Sequence, residues 1–148
     1  MLQRFEGDSG RGALVEAIAK QRLTAGNRAL AEEIAGLVEL RVVPAGATLI
    51  ERAHEDNDLF LILEGEFIVS VDGAVVAKRG AGDYVGEIAA IQPELKRTAT
   101  VVAKSDAVVG KLTEAALADL GDRYPAVYRA IAQKLAGHLL QQNKPAGA

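Results

Sequence analysis

Residues 59–80 read LFLILEGEFIVSVDGAVVAKRG, and this stretch narrows the fold more than any other. LFLIL (59–63) is a run of five apolar residues, too short for a buried helix and uninterrupted, the pattern of a strand covered on both faces. Glu64-Gly65 turns the chain, and FIVSV (67–71) comes next. Asp72-Gly73 is a strong two-residue hairpin signal, because both central residues of a type I′ turn need positive φ. VVAK (75–78) is the return strand. The chain is therefore expected to build an antiparallel β unit with at least one strand buried on both faces.

The same reading extends to both sides. Val42 and Val43, then Thr48, Leu49 and Ile50, are strand formers broken by Pro44-Ala45-Gly46. TATVVAK (98–104) and AVVGKL (107–112) are separated by Ser105-Asp106 and read as a further hairpin. Short, evenly spaced strands of this kind predict an antiparallel barrel or jelly roll over residues 39–112. Residues 12–38 instead show apolar residues three and four apart in Ala/Leu/Glu-rich sequence, so residues 1–38 form an N-terminal helical segment with Asn27 as an N-cap. Residues 113–148 return to helix. Thr113 is the N-cap and Gly121 the stop of a first helix. Pro125 starts a longer one to about Asn143, with Val127, Ile131, Leu135 and Leu139 in a stripe, and the final NKPAGA is a frayed tail. The fold class is α+β.

Composition removes several function classes. With no cysteine, disulfide scaffolds, zinc–thiolate sites and iron–sulfur clusters are excluded. A net charge of −3 does not suit a nucleic-acid footprint over the whole surface. No secretory leader or membrane-spanning run is visible, and a cysteine-free, mildly acidic chain fits the cytoplasm. The two histidines, His54 and His138, lie far apart in sequence and are expected in solvent. Asp56-Asn57-Asp58 lacks the glutamate of a calcium loop and is expected as a solvated turn. Arg123, Arg129 and Lys134 are expected on a solvated helix face. No nucleophile motif is present, so this chain is not expected to be an enzyme, and no cofactor or metal is called for.

The chemistry concentrates in GDYVGEIAAIQPELKRTATVV (82–102). Gly86 allows a ligand close to the main chain. Glu87 through Ile91 suffices for one helical turn, whose first amides have no intrahelical partner. Glu87 can accept hydrogen bonds from a sugar hydroxyl, and the Arg97 fork matches phosphate oxygens. Together these groups suit a ribose phosphate. A plain Glu87–Arg97 ion pair closing a surface loop is the structural alternative.

These residues resemble the cyclic nucleotide-binding domain family. Pro44-Ala45-Gly46 is similar to its early Pro-x-Gly strand entry, and Phe60 to Gly65 to its β-roll signature. Gly86-Glu87-Ile88-Ala89, followed by Arg97-Thr98-Ala99-Thr100, resembles its phosphate-binding cassette (86–98 here). The resemblance implies a β-roll between N-terminal helices and C-terminal B and C helices. It implies that Glu87 binds the ribose 2′-hydroxyl and Arg97 the phosphate of a 3′,5′-cyclic nucleotide. Gly86, Ile88 and Ala89 would supply backbone contacts, with Thr98 beside the phosphate or base, the C helix as a lid over the base, and Tyr128 or a neighbour on it touching the base. Two departures stand out. The Glu–Arg gap, with Gln92 to Lys96 inside it, is one residue longer than in many members, and Ala53-His54 replaces a frequent glycine.

More narrowly, MLQRFEGDSGRGALVEAIAKQ, DNDLFLILEGEF and LLQQN resemble the N-terminal sensor domain of TIR-domain effectors of Pycsar (pyrimidine cyclase) anti-phage systems. That resemblance implies a cyclic UMP or cyclic CMP sensor regulating a TIR NAD hydrolase absent from these residues. The chain would form a homo-oligomer through the C-terminal helices or the output domain. Three alternatives differ in kind. The first is a cyclic AMP or cyclic GMP sensor half of a transcription regulator or channel. The second is a degenerate dimerisation module, in which Glu87 and Arg97 pair with each other. The third is a small cupin-like enzyme.

Overall fold

The computed structural model describes residues 1–142. The expected tail (143–148) and the expected helix end at Asn143 lie outside the described residues. Strand β3 (Leu59–Glu64) is buried along its first five residues. Side chains alternate across a strand, and here the two faces enter two different cores. Leu59, Leu61 and Leu63 pack with the helices. Phe60 and Ile62 pack inside a β-sandwich. This double burial is why LFLIL is uniformly apolar; each such side chain contributes about 1.5–3 kcal/mol on burial.

Two four-stranded antiparallel sheets form the sandwich. One runs in the order β1 (Glu39–Val43), β8 (Ala107–Leu112), β3 and β6 (Tyr84–Val85). The other runs β2 (Thr48–Ile50), β7 (Thr100–Ala103), β4 (Glu66–Val71) and β5 (Ala74–Gly80). Phe60, Ile62 and Val109 from the first sheet meet Ile50, Phe67 and Val101 from the second. This is the β-roll that the sequence implies. Asp72 and Gly73 have φ of 52° and 80° and join β4 to β5, the left-handed pair that the hairpin requires.

The expected hairpin at Ser105-Asp106 is not formed. β7 pairs with β2 and β4, whereas β8 pairs with β1 and β3, so residues 104–106 carry the chain from one sheet to the other. The two polar residues serve other loops. Ser105 Oγ accepts from the Glu66 amide at 3.1 Å, and Asp106 Oδ1 accepts from the Ala45 amide at 2.9 Å. A polar dipeptide between two apolar runs looks the same whether the runs pair with each other or part.

Helices α1 (Gly7–Ala19) and α2 (Arg28–Leu37) cover the outer face of β3. Helix α1 starts earlier than its composition suggests, after a 3₁₀ turn at Leu2–Phe5 that buries Phe5. Asn27 caps α2 by accepting from the Leu30 amide at 3.1 Å, and Thr113 caps α4 (Glu114–Arg123) by accepting from the Ala116 amide at 3.2 Å. Gly121 is not a stop, because α4 continues through it to Arg123. A Cβ there would lie 2.3 Å from the Tyr128 ring of α5 (Ala126–Gln142), so the glycine permits α5 to approach. The α4–α5 junction is tied back to α2. Arg123 donates to Glu33 at 2.7 Å and to Asp119 at 2.8 Å, and the Tyr124 hydroxyl donates to Glu33. Among the described residues, no helix is long and apolar enough to cross a membrane.

Candidate functional site

Gly86 sits between β6 and a one-turn helix, α3 (Glu87–Ile91), with φ of 91°. A Cβ at Gly86 would fall 2.7 Å from Arg97 Nη1 and 2.8 Å from the Asp58 carbonyl oxygen. Only glycine tolerates both the left-handed backbone and this crowding. The first intrahelical bond of α3 runs from the Ala90 amide to the Gly86 carbonyl at 3.2 Å. The amides of Glu87, Ile88 and Ala89 therefore precede the hydrogen-bonded ladder.

Arg97 is held from both its backbone and its side chain. Its amide donates to the His54 carbonyl at 2.8 Å, and its carbonyl accepts from the Ala53 amide at 2.8 Å. Its side chain is only 2% exposed. Nη1 donates to the Gly86 carbonyl at 3.1 Å, and Nη2 donates to the Asp58 carbonyl at 2.7 Å and to Asp56 Oδ2 at 3.0 Å. Nε is buried with no hydrogen-bond partner among the described residues. The residues 56–58 are thus more than a solvated turn, since they orient this guanidinium. Residues 92–96, inside the longer Glu–Arg gap, lie exposed in solvent.

Gly86, Glu87, Ile88, Ala89, Arg97 and Thr98 all line one cavity of about 510 Å³. Its remaining wall is largely apolar, from Val69, Val71 and Val76 of the second sheet to Leu135 and Leu139 of α5. Among the described residues, Arg79, Arg97 and Lys134 are the lysine and arginine residues that line it, against one carboxylate, Glu87. Such a balance suits an anion with an apolar or aromatic body. Glu87 and Arg97 do not pair with each other, because their charged partners are Lys134 and Asp56 respectively.

Three sequence expectations change here. Tyr128 does not line the cavity; it is 38% exposed and its ring lies against Gly121. The α5 residues that do line it are Lys134, Leu135, His138 and Leu139. His138 is accordingly not simply in solvent. Lys134 is not on a solvated face: it is 4% exposed, with Nζ donating to the Tyr84 carbonyl and lying 3.0 Å from Asp83, 3.4 Å from Glu87 and 3.9 Å from the Tyr84 ring centre. Burial, followed by the charge of Glu87, holds the Tyr84 hydroxyl well above the usual phenol range, so it stays protonated. The signal for Lys134 was in the spacing. Positions 127, 131, 134 and 138 follow the four-three-four step of one helix face, which puts the lysine in the buried stripe.

Comparison with known proteins agrees with this geometry. The chain is 42% identical over 144 residues to the Pycsar effector protein BcPycTIR of Burkholderia cepacia, covering 97% of this chain and 48% of that protein. It is 41% identical over 143 residues to the Pycsar effector protein XpPycTIR of Xanthomonas perforans, covering 97% and 47%. The chain therefore spans about half the length of the curated relatives it matches. Its fold superposes on that of PKAR CBD2 bound to Sp-2Cl-cAMPS with a TM-score of 0.75 at 19% identity, covering 93% of this chain and 94% of that one. For the catabolite activator protein of Thermus thermophilus the TM-score is 0.74 at 22% identity, covering 83% and 60%. The profile of the cyclic nucleotide-binding domain matches residues 40–124, and the chain belongs to that family.

Proposed function

We propose that this chain is a sensor for a 3′,5′-cyclic pyrimidine nucleotide, cyclic UMP or cyclic CMP, and that it controls a TIR-type NAD-hydrolysing domain outside these residues. The observation that carries the reading is Arg97, a guanidinium 2% exposed at the wall of the cavity, with a buried Nε that no group among the described residues satisfies. A buried donor without a partner costs about 1–3 kcal/mol, and a phosphate oxygen would relieve it. Glu87, in the same cavity, would accept from the ribose 2′-hydroxyl, and the amides of residues 87–89 would meet the phosphate. Thr98 and His138 offer polar groups to a base among apolar walls. The choice of a pyrimidine, and of a TIR output, rests on the similarity to Pycsar effector proteins.

Mechanistically, the ligand acts by population shift. It favours the arrangement of α5 that completes the cavity wall, and α5 in turn repositions the output domain. Leu140, 74% exposed near the end of the described part of α5, belongs in this reading to the contact with a second copy. Sedimentation with and without nucleotide tests that part.

The main test is a thermal-shift panel with cyclic UMP, CMP, AMP and GMP. Ligand at about a hundred times Kd stabilises a single-site folded state by roughly 2.7 kcal/mol. A shift confined to one pyrimidine nucleotide supports the reading. A shift only with cyclic AMP or GMP moves the chain to a general second-messenger sensor, and no shift with any of the four overturns nucleotide sensing.

A further inference from the structure

Lys134 is the buried cation that the cassette chemistry leaves unexplained. A lysine held 4% exposed must have its charge compensated, since an unpaired buried ammonium is costly. Its ammonium has three N–H donors and meets three oxygen-bearing partners. These are the Tyr84 carbonyl, Asp83 Oδ1 at 3.0 Å and Glu87 Oε1 at 3.4 Å. The Tyr84 ring centre lies 3.9 Å from Nζ and adds a cation–π contact. Asp83 is itself held by Arg22 at 3.5 Å and Arg79 at 3.6 Å. It can therefore share the lysine without taking it away from Glu87.

The Glu87 side chain is 14% exposed and stands on a helix of one turn. A carboxylate has about four acceptor positions. Lys134 pairs with the carboxylate as a charge at 3.4 Å, and acceptor positions remain for a ligand. Without the lysine, nothing else in the described residues forms an ion pair with Glu87, and a glutamate has three side-chain torsions to lose on fixing its carboxylate.

We propose that Lys134 is a positioning residue: it fixes the Glu87 carboxylate for a ribose 2′-hydroxyl, so that the preference for a ribonucleotide over its 2′-deoxy counterpart depends on the seating of α5. The inference rests on the cyclic-ribonucleotide reading of the cavity. It also gives that reading a route from ligand to helix, because the group that orients the sugar contact is carried by α5.

The test is titration calorimetry of the 148-residue chain with cyclic UMP and with 2′-deoxy cyclic UMP, and the same pair for the cytosine nucleotides. Fixing a charged acceptor for one hydroxyl gives the wild type a ribo-over-deoxy preference of roughly 10- to 100-fold. In Lys134→Met the lost charge weakens both nucleotides, and the ribo-over-deoxy ratio falls besides by roughly tenfold. In a Glu87→Gln background the ratio is already low, and adding Lys134→Met changes it no further. Circular dichroism checks that each variant is folded; if Lys134→Met is not, Lys134→Gln, whose amide can still donate to the Tyr84 carbonyl, carries the comparison. An equal loss on both sugars, or an unchanged ratio, means that Lys134 serves only to pack α5 and overturns the inference while leaving nucleotide sensing intact. Wild-type protein that binds none of the four ligands overturns both.

Discussion

Arg97 Nη2 lies 3.0 Å from Asp56 Oδ2, and this contact joins the end of the cassette to the 51–58 segment that precedes β3. The two partners are unequal, since the arginine side chain is 2% exposed and the aspartate side chain 46%. Arg97 is therefore structural as well as cavity-lining. Arg97→Ala strands the Asp58 carbonyl and leaves the Gly86 carbonyl with the Ala90 amide alone, and is expected to cost about 1–3 kcal/mol of folding stability in addition to nucleotide binding. Asp56→Ala removes a half-exposed partner and is expected to cost less than about 1 kcal/mol. Urea unfolding of both variants reads the difference; equal losses would show that the guanidinium is not anchored by the two carbonyls.

Gly86→Ala is expected to be more damaging than its one added methyl suggests. The left-handed backbone alone costs about 1–2 kcal/mol for a residue with a Cβ. The new atom would also fall 2.7 Å from Arg97 Nη1, so the arginine must move. Lower stability with loss of nucleotide affinity is expected from denaturant titration and calorimetry. Wild-type affinity in a folded Gly86→Ala protein would show that Arg97 can move without consequence.

Ala53 offers the opposite change. Its φ is 73°, a conformation that glycine adopts without strain, and its amide is bonded to the Arg97 carbonyl at 2.8 Å. Relief of the Cβ strain, less the entropy that glycine gains when unfolded, predicts that Ala53→Gly stabilises the fold by about 0.5–1 kcal/mol. The measurement is the urea midpoint; a lower midpoint would mean that the entropy outweighs the strain.

These three sites show what a sequence exposes and what it hides. The double burial of β3 is readable because a strand covered on both faces has no polar positions, and LFLIL has none. Asp72-Gly73 is readable because few dipeptides accept two positive φ values. Gly86, Glu87 and Arg97 are readable as a motif, and the structure gathers them on one cavity. The partners of Arg97 are not, since Asp56 is 41 residues away and contributes through a turn whose composition is that of any solvated loop. Lys134 is misplaced by sequence alone because lysine is seldom buried, a prior that outweighs its position in the apolar stripe. Ser105-Asp106 misleads because pairing partners are chosen by the whole sandwich and not by the turn between two strands.

The last relationship to test is the clamp at Glu33, where α2 meets the α4–α5 junction through Arg123 and the Tyr124 hydroxyl. The Tyr124 hydrogen bond, followed by that from Arg123, holds the Glu33 carboxyl below its ordinary 4.5. Because the folded-state value is depressed, the clamp stabilises the fold above that ordinary value, and its contribution is lost as pH falls through the lower, folded-state value. Tyr124 is shifted the other way, above its ordinary 10.0, chiefly by the same bond. Its contribution is complete below 10.0 and is lost as pH rises through the raised value. Glu33→Gln removes the carboxylate from both. Its melting temperature is expected to lie below that of the wild type at neutral pH, and the gap is expected to close on acidification past the ordinary carboxylate value. A gap that stays constant from about pH 3 to 7 would show that Glu33 acts through packing and not through its charge.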